Sequence, residues 1–212
     1  MRPASQDRLL LSGPAGTLEV VLNDPRAENP AVAPNGLALI AHPHPLYGGT
    51  LDNKVVQTLA KTLFAQSYIC VRVNFRGVGA SQGTYDEGIG ETEDLLAVLS
   101  EIRQRMADLP VLLAGFSFGS FVQARVARAL AAQGRPPRRL LLVAPAVGRF
   151  DVGSVPQGTL VIHGEEDDVV SLADVFAWAR PQQLPVVVLP GAGHFFHGNL
   201  VELQRIVQAF CL

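Results

Sequence analysis

The sequence predicts an α/β protein, with a mostly parallel sheet of eight strands and helices on both of its faces. Three observations carry that expectation. Short apolar runs recur that are nearly continuous, as strands covered on both faces require. Amphipathic helical patterns lie between them in strict alternation, which right-handed crossovers turn into a parallel sheet. Finally, 48% of the 212 residues are hydrophobic and 17% charged. That apolar content offsets the entropy of ordering and excludes a disordered chain, and the composition also excludes a collagen, a coiled coil or a disulfide scaffold.

Taken in order, residues 9–12 and 17–22 flank Gly13-Pro14-Ala15-Gly16, a turn sequence, and read as an antiparallel hairpin on the sheet edge. Residues 23–35 hold three prolines among Asn, Asp and Glu side chains and read as a surface connection. Parallel strands follow at 37–41, 68–74, 111–115, 140–144, 159–163 and 185–189. A first helix is expected from Leu51, Val55, Leu59 and Leu63, with Val56, Ala60 and Phe64 beside them. Thr92, Leu95, Leu96, Leu99, Ile102 and Met106 form a second stripe, and Phe121, Val122, Ala124, Ala129 and Leu130 a third. A shorter fourth helix spans 172–179 and a fifth 200–210. The last strand lies on a sheet edge, which fits a monomer or a homodimer.

The 17 basic and 19 acidic residues give a net charge of −2, which leaves no field to draw nucleic acid or an anionic membrane. Arg125, Arg128, Arg135, Arg138 and Arg139 form the one local basic cluster and read as a solvated helix face and turn. Cys70 and Cys211 are too few for a disulfide framework and fit reduced thiols in a cytoplasm. In residues 1–16 the only apolar run is Leu9-Leu10-Leu11, too short for a signal-peptide core. No stretch approaches the roughly 20 apolar residues that span a bilayer. The expectation is a cytoplasmic protein with one domain over residues 1–212.

In such a sheet, ligands meet the loops at the carboxyl ends of the strands. All five histidines fall there: His42 and His44 after the first parallel strand, His163 at the end of the fifth, His194 and His197 after the last. The strongest chemical signal is Gly115-Phe116-Ser117-Phe118-Gly119, a G-x-S-x-G directly after a strand and directly before an amphipathic helix. A reversal from strand to helix strains the serine backbone, and small residues two positions either side let the chain turn. The Oγ and the following N–H then lie at the positive end of the helix dipole, where developing negative charge is stabilised. A serine hydroxyl still needs a base, and the base an orienting acid. His163-Gly164-Glu165-Glu166-Asp167-Asp168-Val169-Val170 supplies two adjacent aspartates. Gly191-Ala192-Gly193-His194 supplies an imidazole on a flexible turn, with His197 as its competitor.

These motifs resemble those of compact bacterial serine hydrolases of the α/β-hydrolase superfamily, related to dienelactone hydrolases. The stretches that carry the resemblance are His42-Pro43-His44-Pro45-Leu46-Tyr47-Gly48-Gly49, Asn74-Phe75-Arg76-Gly77-Val78-Gly79-Ala80-Ser81, the G-x-S-x-G, Gly164-x-x-Asp167-x-x-Val170 and Gly193-His194, spread from about residue 37 to the C-terminus. The resemblance implies the α/β-hydrolase fold and a Ser-His-Asp triad of Ser117, His194 and Asp167, the G-x-x-D-x-x-V pattern favouring Asp167 over Asp168. It also implies hydrolysis through an acyl-enzyme with no cofactor and no metal. An oxyanion hole would combine the Phe118 N–H with a donor from the loop after the first parallel strand. That loop departs from the family pattern, because Pro43 and Pro45 have no N–H. His44 is the first choice as donor and Leu46 the second. Leu46, Tyr47, Phe116, Phe195 and His197 are expected around the pocket, and Arg76 is expected either to brace its loop or to meet an acidic substrate group.

The expected reaction is cleavage of a small-molecule carboxylic ester with a small or short acyl group. Thioester or peptide cleavage uses the same triad. A metal-dependent hydrolase built on His42-x-His44 with the other histidines leaves the serine turn unexplained. A non-catalytic binding protein on the same fold is the remaining alternative. Only about 14 residues separate the strand ending at Ala144 from the one starting at Thr159, too few to build a helical cap.

Overall fold

The computed structural model describes residues 7–106 and 108–211. Residues 1–6 of the N-terminal stretch, Ala107 and Leu212 lie outside the described residues. β1 (Asp7–Gly13) and β2 (Gly16–Asn23) form the expected hairpin, with Gly13 opposite Gly16 at the turn. β3 (Gly36–Ala41), β4 (Tyr68–Val73), β5 (Val111–Phe116), β6 (Arg139–Val143), β7 (Leu160–Gly164) and β8 (Val186–Leu189) complete one sheet of eight strands. Its order is β1-β2-β4-β3-β5-β6-β7-β8. β2 joins β4 antiparallel, and from β4 to β8 all neighbours are parallel.

The chain runs outward from β3 to β4 and then crosses back to β5, so β3 and β5 become neighbours across a topological switch point. Connections there leave in opposite directions and open a crevice at the carboxyl ends of the strands. The loops after β3 and β5 therefore meet, although about 70 residues separate them.

Every residue of β3, β4 and β5 is buried. Leu37, Leu39 and Ala41 pack into one core cluster, while Ala38 and Ile40 pack into another on the opposite face. This explains why the strands read as unbroken apolar runs. α1 (Lys54–Phe64) and α5 (Leu200–Cys211) cover the Ile40 face with Val55, Leu59, Leu203 and Val207. α2 (Ile89–Arg105), α3 (Phe118–Ala132) and α4 (Leu172–Ala179) cover the Leu39 face with Leu95, Val122 and Val175. Each such fully buried side chain contributes about 1.5 to 3 kcal/mol of transfer free energy. No described helix is long and apolar enough to cross a membrane.

Some boundaries differ from the sequence expectation. Leu51 has the spacing of the α1 stripe but precedes the helix, because the Asn53 side chain accepts the Val55 and Val56 N–H groups and starts the helix there. Leu51 is buried in the preceding turn, its N–H on Asn74 Oδ1 and its carbonyl on Arg72 Nη1, both at 2.8 Å. Met106 is extended just past the end of α2. Residues 144–159, between β6 and β7, hold no helix, and Val147 and Val152 tuck back into the Leu39-side core. A cap is therefore absent from the position where the sequence left no room for one.

Candidate active site

At the switch point, β5 turns into α3 through Ser117, which adopts φ 55° and ψ −118°. A non-glycine residue held there costs about 1 to 3 kcal/mol. The surroundings fix it: the Ser117 N–H donates to Val143 O at 2.9 Å, and Ser120 Oγ donates to Gly115 O at 2.7 Å. The flanking glycines are steric necessities. A Cβ on Gly115 would stand 2.3 Å from Gly119 O, and one on Gly119 would stand 2.5 Å from Ala41 O and 2.6 Å from His42 O. All three are backbone atoms and cannot swing away. Gly119→Ala is therefore expected to cost about 3 kcal/mol or more in urea denaturation, whereas Gly158→Ala, whose added Cβ meets nothing within 4 Å, should shift the midpoint little.

Ser117 occupies the N-cap position of α3, where a serine hydroxyl ordinarily bonds a first-turn N–H, yet it makes no side-chain cap bond. Its Oγ instead lies 3.0 Å from His194 Nε2. His194 Nδ1 lies 2.7 Å from Asp167 Oδ2. The carboxylate only accepts, so Nδ1 carries the imidazole proton and Nε2 is left to accept from the serine hydroxyl. Asp167 Oδ1 accepts the Val169 N–H at 2.9 Å and the Val170 N–H at 2.8 Å. Burial alone would raise the Asp167 carboxyl, but the hydrogen bonds from His194, Val170 and Val169 outweigh it and hold the group below the usual carboxylate range. Of the neighbouring acids, Asp168 and Glu166 are exposed, and Glu165 accepts the Gly191 N–H. His197 is exposed and takes no part in the chain of bonds from Asp167 to Ser117.

Sequence and fold comparisons place the chain among known hydrolases. A family model described as "Serine aminopeptidase, S33" (Hydrolase_4) matches residues 47–154, about half of the chain. An α/β serine hydrolase homologue from Coxiella burnetii is 39% identical, with 99% of each chain covered and a TM-score of 0.85. The chain belongs to this family of α/β serine hydrolases. A Xanthomonas campestris α/β serine hydrolase described as having no lid is 37% identical, with 99% of this chain and 95% of that one covered and a TM-score of 0.88. An uncharacterised Rickettsia prowazekii protein is 32% identical over 198 residues, 86% of this chain and 81% of its own.

In this hydrolase the other histidines divide by burial. His42 is fully buried, with Nδ1 2.6 Å from Pro43 O and Nε2 accepting the Phe75 N–H at 3.0 Å. It ties the β3 loop to the β4 loop, and both ring nitrogens are taken. Among the described residues, no group of three or more His, Cys, Asp or Glu is placed to hold a metal ion. Burial pushes the His42 pKa down to about 4, against 6.5 for the free side chain, so the unfolded chain binds this proton more tightly. His42 thus contributes stability that is fully present above pH 6.5 and lost as pH falls towards 4. Between pH 7.5 and 4.5 it should account for a loss of about 2 to 3 kcal/mol. Urea titrations at the two pH values should show that loss in wild type and a smaller one in His42→Gln.

The loop after β3 forms a short 3-10 turn at Pro45–Tyr47. His44 Nδ1 accepts the Leu46 N–H at 3.3 Å, and His44 O accepts the Tyr47 N–H at 3.2 Å. Leu46 and Tyr47 are 67% and 79% exposed, and the Tyr47 ring lies 4.7 Å from the His44 ring. Phe195, 46% exposed, stands edge-on to the His194 ring with centroids 5.1 Å apart. Phe116 departs from the sequence expectation: it is fully buried and lies 5.1 Å from the His194 ring, a support for the imidazole with no surface to offer a pocket. Arg76 does not face a substrate either. It donates to the buried Asp94 through Nε and Nη2, at 2.7 and 2.8 Å, and to Gly90 O, bracing its loop against α2.

Sequence reasoning missed Tyr85 and Phe150. Their rings pack on His44 at 4.9 and 5.9 Å and on Phe118 at 5.7 and 5.1 Å, extending an aromatic wall from the elbow. For Phe150 a signal existed, since it follows β6 on the same end of the sheet as every other site loop.

Proposed function

We propose that this hydrolase is a single lidless domain that cleaves small carboxylic esters with Ser117 as nucleophile, His194 as general base and acid, and Asp167 as the residue that orients the imidazole. The observation that carries the reading is the unbroken hydrogen-bonded chain from Asp167 through His194 to a strained Ser117 at a helix N-terminus. Ser117 Oγ attacks the ester carbonyl while His194 Nε2 takes its proton. The carbonyl oxygen becomes an oxyanion held by the Phe118 N–H and the His44 N–H. Leu46 and Tyr47 spend their N–H groups on His44, and Pro43 and Pro45 have none, which supports His44 as the second donor. Collapse breaks the bond to the alcohol oxygen, which takes the proton from His194. Water then attacks the acyl-enzyme with His194 again as base, releasing the acid and restoring the serine.

The short connection at 144–159 and the exposed Leu46, Tyr47 and Phe195 support small, openly presented acyl groups. The free thiols Cys70 and Cys211 support a cytoplasmic location. The description of the family model as an aminopeptidase favours a second reading, in which the same triad cleaves an aminoacyl amide. A panel of 4-nitrophenyl esters of increasing chain length, acyl thioesters and aminoacyl 4-nitroanilides, run with and without chelator, decides between them. The ester reading expects the highest kcat/KM on short-chain esters and indifference to chelator. Faster turnover of the anilides would replace it with the peptidase reading, and loss of turnover on chelation would overturn both.

A further inference from the structure

His163 is the penultimate residue of β7 and is fully buried, yet the reaction outlined above does not use it. Its Nε2 lies 2.9 Å from Val170 O and 3.5 Å from Asp167 Oδ2. Both neighbours are acceptors, so Nε2 carries the proton. Nδ1 is buried with no hydrogen-bond partner among the described residues, so a second proton there would have nothing to donate to and would place an unpaired cation in the core. Burial also pushes the imidazole pKa down, although the Asp167 charge opposes that shift. The ring is therefore a neutral donor beside Asp167 Oδ2.

We propose that His163 is a positioning residue for the acid: its Nε2–H clamps the turn from 164 to 170 across Val170 O and Asp167, so that Oδ2 stays directed at His194 Nδ1. The turn is held from both of its ends. Val169 and Val170 N–H groups fix Oδ1, and the Val170 carbonyl returns to His163. Rotation of the carboxylate would have to break the two bonds on Oδ1, and a shift of the turn that carries it would have to break the bond from His163 to Val170 O. The neutrality of His163 is part of the device. A cation 3.5 Å from Oδ2 would compete with the His194 imidazolium for the single carboxylate charge when the serine proton arrives.

The inference rests on the serine-hydrolase reading, and its test separates the two. His194 is faced by Ser117 from the elbow and by Asp167 and His163 from β7 and its turn; Glu165 is bound to Gly191, and Glu166, Asp168 and His197 are exposed. In His163→Leu the turn loosens and the imidazolium is less well stabilised. Its kcat on a 4-nitrophenyl ester should fall about tenfold, what one net hydrogen bond amounts to, with KM little changed and the acid limb of the kcat/KM profile moved to lower pH. His163→Gln, whose amide nitrogen reaches the Nε2 position, should restore most of kcat and the limb. A merely structural role would lower the melting temperature of His163→Leu but leave its limb and its kcat per folded molecule at the wild-type values, and that outcome overturns the proposal. If His163→Leu does not fold, the ring ¹⁵N shifts of wild type decide. A neutral, Nε2-protonated His163 from pH 5 to 8 supports the clamp, and a titrating or Nδ1-protonated ring overturns it. Wild-type turnover in Ser117→Ala would instead overturn the serine reading and leave the ¹⁵N result standing.

Discussion

Ser117→Ala is expected to lower kcat for ester hydrolysis by about 10⁴- to 10⁶-fold, with a urea midpoint close to that of wild type. The size of the loss follows from the elbow. No other hydroxyl is hydrogen-bonded to His194 among the described residues, so the base has no second nucleophile to activate. What would remain is the contribution of the proposed oxyanion donors and of binding alone. The fold loses little, because the Ser117 hydroxyl caps no helix N–H and the turn is held by backbone bonds from Ser117 N and by Ser120. Steady-state kinetics with active-site titration checks the rate, and the same preparation gives the stability. A variant that retains wild-type turnover would remove Ser117 from the chemistry.

Asp167→Asn should cost about 10⁴ in kcat near neutral pH, by the tautomer it enforces. The backbone N–H groups of Val169 and Val170 require an acceptor at the Oδ1 position, so the asparagine carbonyl is pinned there. Its NH₂ then faces His194 Nδ1, 2.7 Å from the Oδ2 position. Two donors cannot meet at that distance, and the imidazole moves its proton to Nε2, where it can no longer accept from Ser117. KM should change little, since Asp167 touches no substrate in the proposed mechanism. A kcat within tenfold of wild type would mean that the acid does not set the tautomer.

Much of this arrangement was legible in the sequence because it depends on local pattern. Continuous apolar runs reflect strands buried on both faces, and the spacing Gly115-x-Ser117-x-Gly119 reflects backbone atoms within 2.6 Å of where a Cβ would sit. The choice of Asp167 over Asp168 came from family resemblance and agrees with their opposite exposures. Other features depend on distant partners. Five histidines at one end of the sheet suggested a shared site, but His42 and His163 are buried neutral braces whose acceptors, Pro43 O and Val170 O, are backbone atoms that no pattern marks. Arg76 meets Asp94 across 18 residues. Phe116 was misplaced although its parity was readable: in β5 it shares the face of Leu112 and Ala114, which pack under α1 and α5. Leu51 had helical spacing, but the capping bonds of Asn53 set the boundary instead.

The central claim is a covalent intermediate on one serine. Rapid quenching of wild type with a slowly deacylating 4-nitrophenyl ester, followed by proteolysis and mass spectrometry, looks for it directly. The account predicts one acyl adduct, on the peptide carrying Ser117, formed at the rate of the 4-nitrophenol burst and absent from Ser117→Ala. A burst-free time course with no adduct, or an adduct on a peptide that lacks Ser117, would contradict it.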